Sequence, residues 1–390
     1  MKRSKTPSIL YLNAEESEDR IKELEISGMK RYAGARGWRV VPVPQAEWVA
    51  TGIPALLALH GPVAGCVVEA TDDSADLPPA LFGGIPVVYF HAEPSLLGGR
   101  LAGISTDDAA VARAAFRELA LGLPAAFAAV PFKDDFVWSR VRVRTFAALA
   151  AGLGAPCSVF NPAEGASGSR AVNLARWVAA LPRRTAVFAA NDATAAEVVA
   201  AAREAHRAIP RELTLLGVDN QASVCEASNP TISSIQLDHE LGGYKIARLL
   251  GETIAGRAAG EGAVSIGPLM AVRRASTGGS GRREKFILDA VEMIRHEAYD
   301  CDFSVERLAA RFPCSRQLFR LRFREATGHS ALDEIQHVRL ERVHILLSQT
   351  DTAIGAIAGL CGYRSDFALK WIFKKRTGMS MREWRARNRR

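Results

Sequence analysis

A degenerate repeat near the C-terminal end constrains the fold of this chain more than any other feature of its sequence. Residues 315–323, followed by Thr327-Gly328, return as residues 365–373 with Thr377-Gly378, at an offset of 50 residues. A serine, a basic residue five positions later, a phenylalanine three positions after that and the final Thr-Gly pair recur in the same order. The chain is therefore expected to contain two copies of one structural unit.

Both copies show the pattern of a helix, a turn and a second helix. A short apolar helix pattern precedes each copy, Val305-x-x-Leu308-Ala309 in the first and Ile354-x-x-Ile357-Ala358 in the second. Pro313 in the first copy and Cys361-Gly362-Tyr363 in the second predict the turn, because proline cannot continue a helix and glycine accepts the angles that end one. This layout is that of a helix-turn-helix, whose second helix enters the DNA major groove.

The second helix of each copy is predicted to present one exposed arc. A step of about 100° per residue places Phe319 and Phe323 toward the core, outside that arc. The first arc holds Arg316, Gln317, Arg320, Leu321 and Arg324, and the second holds Asp366, Phe367, Lys370, Trp371 and Lys374. Arginine and glutamine read guanine and adenine edges, so we expect these ten positions to face DNA. For Phe367 and Trp371 two alternatives stay open, contact with thymine methyl groups or packing on a neighbouring helix.

The segment between the copies, residues 330–348, predicts a connecting helix. Its apolar residues follow approximately one helix face: Leu332, Ile335, Leu340, Val343, Leu346 and Leu347. Nineteen residues at the α-helical rise span roughly 28 Å, close to the ~34 Å of one DNA turn. A rigid connecting helix can therefore place two recognition helices in successive major grooves.

The C-terminal region carries further motifs of a known family. Phe373-Lys374-Lys375-x-x-Gly378 followed by Trp384-Arg385 is similar to the signature of the AraC/XylS family of transcription regulators, and residues 285–390 resemble its DNA-binding domain. Met381 stands where that family usually has proline, and Leu369 where it usually has phenylalanine. Both replacements are apolar and preserve the expected fold. The resemblance implies double-stranded DNA, an operator or promoter, as partner, and it leaves RNA polymerase open as a further one.

The excess positive charge of the chain lies in the same region. Of a net charge of +8, all is contributed by residues 282–390, where 22 lysines and arginines face 14 aspartates and glutamates. A basic surface that coincides with two helix-turn-helix motifs favours a polyanionic partner over a merely solvated face. The length of 390 residues, 48% hydrophobic and 24% charged, suits two or three globular domains.

The rest of the chain alternates short apolar strands with helices. Strands are predicted at residues 8–12, 38–41, 65–69, 86–90, 126–130, 186–190 and 214–218, and helices at 19–35, 107–121, 141–153, 171–181 and 193–206. This alternation implies a parallel sheet and an α/β fold. Ligands of such sheets bind beyond the carboxyl ends of the strands, where polar residues collect in this sequence.

Three motifs in this region are shared with a known sensor family. Phe188-Ala189-Ala190-Asn191-Asp192-x-x-Ala195, Gly217-Val218-Asp219-Asn220 and Asn229-Pro230-Thr231-Ile232-Ser233-Ser234-Ile235 resemble the LacI-type effector domain of periplasmic-binding-protein fold. That family carries a DNA-binding head before its first strand, whereas only seven residues precede Ser8 here. The resemblance implies a two-lobed α/β sensor followed by an all-α tandem helix-turn-helix domain.

The order of these two domains resembles that of the xylose-operon activators. Further similarities to that group are Gly65-x-x-x-x-x-x-Asp72-Asp73, Thr106-Asp107, Trp138-x-x-x-Arg142-x-x-x-Phe146 and Arg274-x-Ser276-Thr277. The resemblance implies a transcription regulator of sugar catabolic genes, controlled by a small carbohydrate such as the monosaccharide xylose. LacI-like sensors commonly pair, so a homodimer is expected.

A neutral sugar needs carboxylates and amides for its hydroxyls and an aromatic face for its C–H surface. We expect effector contacts from Asn13, Asp72, Asp73, Trp138, Arg142, Asn191 and Asp219. Asp192 is expected to cap a helix instead. Two alternatives stay open: Trp138 as a hinge packing residue, and Asp72 and Asp73 as helix caps.

The Gly278-Gly279-Ser280-Gly281-Arg282-Arg283 segment predicts a flexible linker. We therefore expect a sensor at residues 1–277, a linker at 278–284 and a DNA-binding domain at 285–390. No long apolar span or signal peptide is recognisable, which favours a cytoplasmic protein.

An alternative function is an AraC-type reader joined to an enzyme-like or non-sugar sensor domain. An amidotransferase-like half needs a Gly-x-Cys-x-Gly nucleophile elbow with a histidine partner. Gly65-Cys66-Val67-Val68 lies within a predicted strand and lacks that elbow, so neither catalytic residues nor a cofactor are expected. The cysteines at 66, 157, 225, 301, 314 and 361 contain no Cys-x-x-Cys pair, which favours structural thiols over a metal site or disulfides.

Overall fold

The computed structural model describes residues 6–12, 20–69, 77–90, 103–161, 168–256, 264–278, 282–350 and 352–388. The chain divides into two compact units, one of Leu10–Met29 and Val41–Arg282, the other of Met1–Ile9, Lys30–Val40 and Arg283–Arg390. The first unit contains most of the two sheets, and the second is mainly helical and includes the first residues of two strands. Because this division differs from residues 1–277 and 285–390, the predicted domain boundaries stay a prediction.

The first lobe of the α/β unit is built on a six-stranded sheet with the order β11-β5-β4-β3-β1-β2. Its elements are β1 Ser8–Leu12, α1 Arg20–Ala35, β2 Arg39–Val43, α2 Gln45–Thr51, α3 Ile53–Leu59, β3 Val63–Glu69, β4 Val87–Phe90, β5 Gly103–Thr106, α9 His239–Ile254 and β11 Val264–Ile266. β1 and β4 are buried along their whole length, as parallel strands covered on both faces are.

The second lobe is built on another six-stranded sheet, with the order β12-β10-β9-β8-β6-β7. Its elements are α4 Asp108–Ala120, β6 Ala126–Val130, α5 Val137–Gly152, β7 Cys157–Val159, α6 Arg170–Ala180, β8 Thr185–Ala189, α7 Asp192–Glu204, β9 Leu213–Val218, α8 Ala222–Cys225, β10 Ser233–Leu237 and β12 Pro268–Val272. β6, β8, β9 and β10 run parallel, so their carboxyl ends meet at one edge.

The chain passes between the two lobes three times. The crossings follow β5, β10 and β11, and two hydrogen bonds join them: Asp107 N–H to Ile266 O at 2.8 Å and Asp238 N–H to Gly267 O at 3.1 Å. This arrangement confirms the two-lobed α/β fold that the sequence predicts. The predicted parallel strands are also present, although α5 begins at Val137 rather than at residue 141.

Residues 282–388, most of which belong to the helical unit, form seven helices within the described part of the chain. They are α10 Arg282–Glu297, α11 Val305–Ala309, α12 Arg316–Thr327, α13 Ala331–Gln349, α14 Ile354–Leu360, α15 Asp366–Thr377 and α16 Met381–Asn388. α10 begins inside the predicted linker of residues 278–284, so the last three residues of that segment are helical. All six cysteines are free thiols, and burial raises the pKa of Cys66 and Cys361 to about 12.

The predicted repeat is present down to its helix caps. α12 and α15 both have 12 residues. Ser315 Oγ accepts from the Leu318 N–H and Ser365 Oγ from the Ala368 N–H, each at 3.2 Å. Both helices end at a glycine in the left-handed region, Gly328 and Gly378. The offset of 50 residues therefore reflects two copies of one helix with the same start and end signals.

The predicted connecting helix is α13, and five of its six predicted apolar positions are buried. Leu332 is the exception, because 53% of its surface is exposed. Ala331 and Ile335 lie one turn apart and face the core. Leu332 directly follows Ala331, so its side chain points about 100° away from that face. The prediction for Leu332 was wrong for this geometric reason.

Candidate functional site

A buried arginine lies at the carboxyl edge of the second sheet. Arg142 on α5 donates from Nε to Asp108 Oδ1 at 2.8 Å and from Nη1 to Ala190 O at 2.8 Å. Only 5% of its side chain is exposed. A guanidinium is tolerated at this depth because a carboxylate and a carbonyl compensate for lost water. Asp108, at the start of α4, holds this predicted site residue in place.

Asp219, the residue after β9, lies in the same cluster. Its Oδ1 is 4.0 Å from Arg142 Nη1, and 27% of its side chain is exposed. Asp219 and Asn220 have φ angles of 97° and 53°, in the left-handed region that costs a non-glycine residue on the order of 1–3 kcal/mol. Such strain persists where the surrounding structure fixes the backbone, and it is commonly found at functional sites.

The residue that caps α7 is Asn191, whereas the sequence analysis predicts Asp192 for that role. Asn191 has extended backbone, and its Oδ1 accepts from the Thr194 N–H at 2.9 Å and from Thr194 Oγ at 2.7 Å. A capping side chain must precede the first helical residue, and Asp192 is already inside α7. The prediction that Asp192 caps the helix was wrong, and Asn191 carries out that function.

Asp192 is instead a buried anchor for the strand ends. It accepts hydrogen bonds from Ser234 Oγ at 2.6 Å and from the Gln221 N–H at 2.7 Å. Burial raises the pKa of Asp192 to about 7, and the nearby charge of Asp219 adds to the shift. Burial also raises the pKa of Asp108, against the opposing attraction of Arg142.

An aromatic surface borders the cluster. The Trp138 ring lies 5.4 Å from that of Phe132 and 6.0 Å from that of Phe136, between ring centroids. The Arg142 guanidinium carbon is 4.8 Å from the Trp138 ring centroid. The structure thus places Trp138 and Arg142 together, as their spacing of four on one helix predicts.

Asn220 was missed by the sequence analysis. Its N–H donates to Ser234 Oγ at 2.9 Å and its Nδ2 to Gln236 Oε1 at 2.8 Å. Its Oδ1 is buried and finds no hydrogen-bond partner among the residues that the structure describes. An unpaired buried acceptor costs about 1–3 kcal/mol, which a ligand hydroxyl could recover.

The residues of this edge offer one fixed cationic donor, several acceptors and an aromatic face. That set suits an uncharged ligand with many hydroxyls and a C–H surface. Of the two residues that the sequence did not predict, Asp108 directly follows the Thr106-Asp107 motif, and Asn220 is the last residue of the Gly217-Val218-Asp219-Asn220 motif. Of the predicted effector residues, Asn13, Asp72 and Asp73 lie outside the described residues.

The exposed arc of α12 matches the prediction. Phe319 and Phe323 are fully buried, in an aromatic cluster with Phe286 and Phe312. All five predicted arc residues are exposed: Arg316, Gln317, Arg320, Leu321 and Arg324. Arg320 Nη2 pairs with Glu306 Oε1 at 2.9 Å, at a position where both side chains are about half exposed.

Four of the five arc residues of α15 are exposed as well, Asp366 is half-buried, and this arc is more apolar than that of α12. Phe367 is 80% exposed and Trp371 58%, so neither packs on a neighbouring helix. Leu369 and Phe373 on the opposite side are fully buried. The structure therefore removes the alternative of internal packing for the two aromatic residues.

Two protein-family models match separate parts of this chain. Residues 112–277 match the family described as periplasmic binding protein-like domain, and residues 308–387 match a helix-turn-helix domain. The xylose operon regulatory protein of Haemophilus influenzae is 29% identical over 210 residues, 54% of this chain and 54% of that protein. Its Escherichia coli K12 counterpart is 27% identical over 212 residues, with the same shares. The matched segment thus spans about half the length of these curated relatives.

Solved structures share the fold. The xylose-binding transcription activator xylR superposes with a TM-score of 0.58 at 22% identity, covering 99% of this chain and 100% of that one. A LacI-family regulatory protein from Chloroflexus aggregans gives 0.54 at 23% identity, covering 70% and 98%. None of the described helices is long and apolar enough to cross a membrane. The chain joins a periplasmic-binding-protein-like domain to a helix-turn-helix domain, and about half of it is similar in sequence to the xylose operon regulatory proteins.

Proposed function

We propose that this protein is a sequence-specific transcription regulator whose binding to DNA is controlled by a small carbohydrate. The observation that carries the proposal is the Arg142-Asp108-Asp219 cluster at a sheet edge, in the same chain as two exposed recognition helices. A monosaccharide such as xylose is the proposed effector, in keeping with the names of the homologous operon regulators. The proposed location is the cytoplasm, where operator or promoter DNA is accessible.

The proposed effector site lies between the lobes of the α/β unit. The second lobe supplies Arg142, Asn191 and Asp219 as ligand contacts, with Trp138 against the C–H surface of the sugar. Asn13, Asp72 and Asp73 are the proposed contacts from the first lobe. Asp108 acts by positioning the Arg142 guanidinium, to which it is bonded at 2.8 Å.

Closure of the lobes is the proposed regulatory step. The three crossings give a hinge at which the lobes rotate, and a sugar bonded to both lobes favours the closed form. The sugar shifts the equilibrium only by the difference between its affinities for the two forms. In a homodimer, closure would change the spacing of the two DNA-binding domains, whose joint binding gains from effective concentration. Contact with RNA polymerase is a further proposed step.

An enzyme-like N-terminal half is the second candidate, and the comparisons favour it less because the homologous proteins are regulators. The two candidates differ in one testable respect. A sensor binds its sugar without consuming it, so the sugar is recovered unchanged after prolonged incubation with the protein.

The test begins with the full-length chain and two unbiased probes. A thermal-shift screen against a monosaccharide panel identifies the effector, because a ligand that binds the native state raises the melting temperature. Selection from a random duplex library supplies a DNA probe. Loss of the Asp219 carboxylate leaves buried sugar hydroxyls unpaired, at a cost of about 1–3 kcal/mol or about one to two decades in affinity.

Asp219→Ala should therefore lose the effect of the sugar on DNA affinity and retain sugar-free DNA binding. Glu204→Ala removes an exposed carboxylate at the end of α7 and serves as the matched control. An undiminished sugar effect in Asp219→Ala would place the effector site elsewhere. A wild-type chain that selects no duplex would contradict DNA binding itself.

A further inference from the structure

The two recognition helices expose different chemistry at equivalent positions. α15 exposes Phe367 and Trp371, four residues apart and hence on one stripe of the helix. The positions 50 residues earlier on α12 hold Gln317 and Leu321. Two adjacent aromatic side chains at 80% and 58% exposure form an apolar stripe on an otherwise charged helix, which indicates a binding surface.

The fold does not need this stripe. The core side of α15 is formed by Leu369 and Phe373, which are fully buried against α13 and α14 residues of the same cluster. Trp371 has Lys375 Nζ at 4.8 Å from its ring centroid, a contact on the exposed side of the helix. The stripe is thus available to a partner without any change in the core.

The charges around the stripe identify the partner as a polyanion. Lys374, Lys375 and Arg376 are exposed in the last turns of α15, and Lys370 lies between the two aromatic residues. Asp366 is the acidic residue of the first turn, and it pairs with Lys370. Cations that border an apolar stripe match the DNA major groove, where phosphates flank the bases and the thymine methyl group is the apolar feature.

We propose that α15 reads thymine through its C5-methyl group, with Phe367 and Trp371 as the specificity-determining residues, whereas α12 reads purine edges. This inference rests on the proposed function. Phe367 is the second residue of α15, and the N-terminal residues of a recognition helix contact base edges. A phenyl ring offers neither donor nor acceptor, so in the major groove it distinguishes thymine from cytosine by apolar contact with the methyl group.

The experiment removes that methyl group and nothing else. The full-length chain first selects duplexes from a random library, and each thymine of the selected duplex is then replaced singly by uracil. Uracil retains every hydrogen-bonding group and every phosphate. Each contacted methyl should be worth about a fourfold change in dissociation constant, the value of one buried carbon group. The sensitive thymines should cluster in one half of the site.

At the thymine that Phe367 contacts, Phe367→Ala should bind the thymine and uracil duplexes with equal affinity, and Trp371→Ala should do the same at the thymine that Trp371 contacts. Gln317→Ala, the matched change at the equivalent position of α12, should keep the full difference. Phe367 is exposed, so the variant should melt at the wild-type temperature, which a thermal scan checks. A wild-type chain indifferent to uracil at every position would overturn the proposal, as would a Phe367→Ala variant that keeps the difference at every sensitive thymine.

The stripe could instead be covered by a second protein copy. In that case Phe367→Ala would lower the molar mass measured by light scattering and leave the thymine-to-uracil difference intact, an outcome that overturns methyl readout. A wild-type chain that selects no duplex at all would contradict the proposed function, and the inference with it. A chain that binds selected DNA without uracil sensitivity would contradict the inference alone.

Discussion

The two helix-turn-helix copies share their scaffold and differ in what they expose. Both recognition helices begin at a capping serine and end at a left-handed glycine, and Phe323 and Phe373 are buried at the same position. On the outer face, Arg320 has Lys370 as its counterpart, and Gln317 has Phe367. In each recognition helix, the residues that cap and bury the helix are distinct from the residues exposed to a partner. The exposed residues can therefore differ between the copies while the helix itself stays the same.

Two glycines of the second copy differ in what surrounds them. Gly362 in the second turn has φ +76°, and a Cβ built there would lie 2.3 Å from Ala298 O. Gly378 has φ +75° with no atom within 4 Å of such a Cβ. The second turn therefore needs glycine both for its backbone and for a close approach, whereas the end of α15 needs it for backbone alone.

Gly362→Ala is the change with the largest expected effect. The left-handed backbone costs alanine about 1–2 kcal/mol, and displacing the Ala298 carbonyl adds about 1–3 kcal/mol. Gly378→Ala should cost only the first amount. Hydrogen exchange of α14 and α15 amides in the full-length chain measures the free energy of opening. Equal losses in the two variants would refute the role assigned to the close approach.

Arg320→Ala and Lys370→Ala should separate base reading from phosphate binding. Loss of a bidentate contact of Arg320 should cost about 1–3 kcal/mol on selected DNA and relax base preference at that position. Lys370→Ala should weaken all duplexes alike and lower the salt slope by about 1. The exposed ion pair of Arg320 with Glu306 is worth only about 0–1 kcal/mol, so it does not withhold the guanidinium from DNA. If Arg320→Ala weakens selected and random duplexes equally, Arg320 is a phosphate contact.

The smallest expected effect is a pH dependence confined to the first copy. His329 Nε2 lies 2.8 Å from Glu334 Oε2, and this hydrogen bond raises the pKa of His329 above its ordinary value. The stabilisation is fully present below the unfolded pKa of ~6.5 and is lost as pH rises through the higher folded pKa. Met379, 50 residues later, does not titrate.

The exchange protection of α12 should therefore fall slightly relative to that of α15 as pH rises above ~6.5. The change should stay below about 1 kcal/mol, because His329 is 40% exposed and solvent screens the pair. His329→Gln should abolish the difference in pH response between the two helices. The same pH response in His329→Gln and wild type would show that another group titrates.

The repeat could be predicted from the sequence because its signals come from neighbouring residues. Parts of the proposed effector site could not, because they depend on contacts between residues far apart in the sequence. Serine caps, the Thr-Gly ends and the 100° step depend on neighbours in sequence, so nine of the ten predicted arc residues are exposed, and Asp366 is half-buried. The Arg142–Asp108 bond joins residues 34 positions apart, and nothing local to Asp108 reveals that partner. Asn191 and Asp192 were exchanged because two adjacent capping residues differ only in where the helix begins. The start of α10 inside a Gly-Ser-rich segment could not be read from composition either.

The connecting helix α13 has a consequence for the DNA itself. It is one uninterrupted helix of 19 residues between the two recognition helices, and a helix does not stretch by one base-pair step. Under the proposed function, α12 and α15 contact two segments of one DNA duplex. One base pair added between these segments would rotate the second by roughly 35° about the duplex axis. The duplex would have to be untwisted to restore the angular phase, at an elastic cost. The number of base pairs between the two DNA segments would then contribute to specificity. The protein would bind weakly to genomic sites that carry both segments at a different spacing.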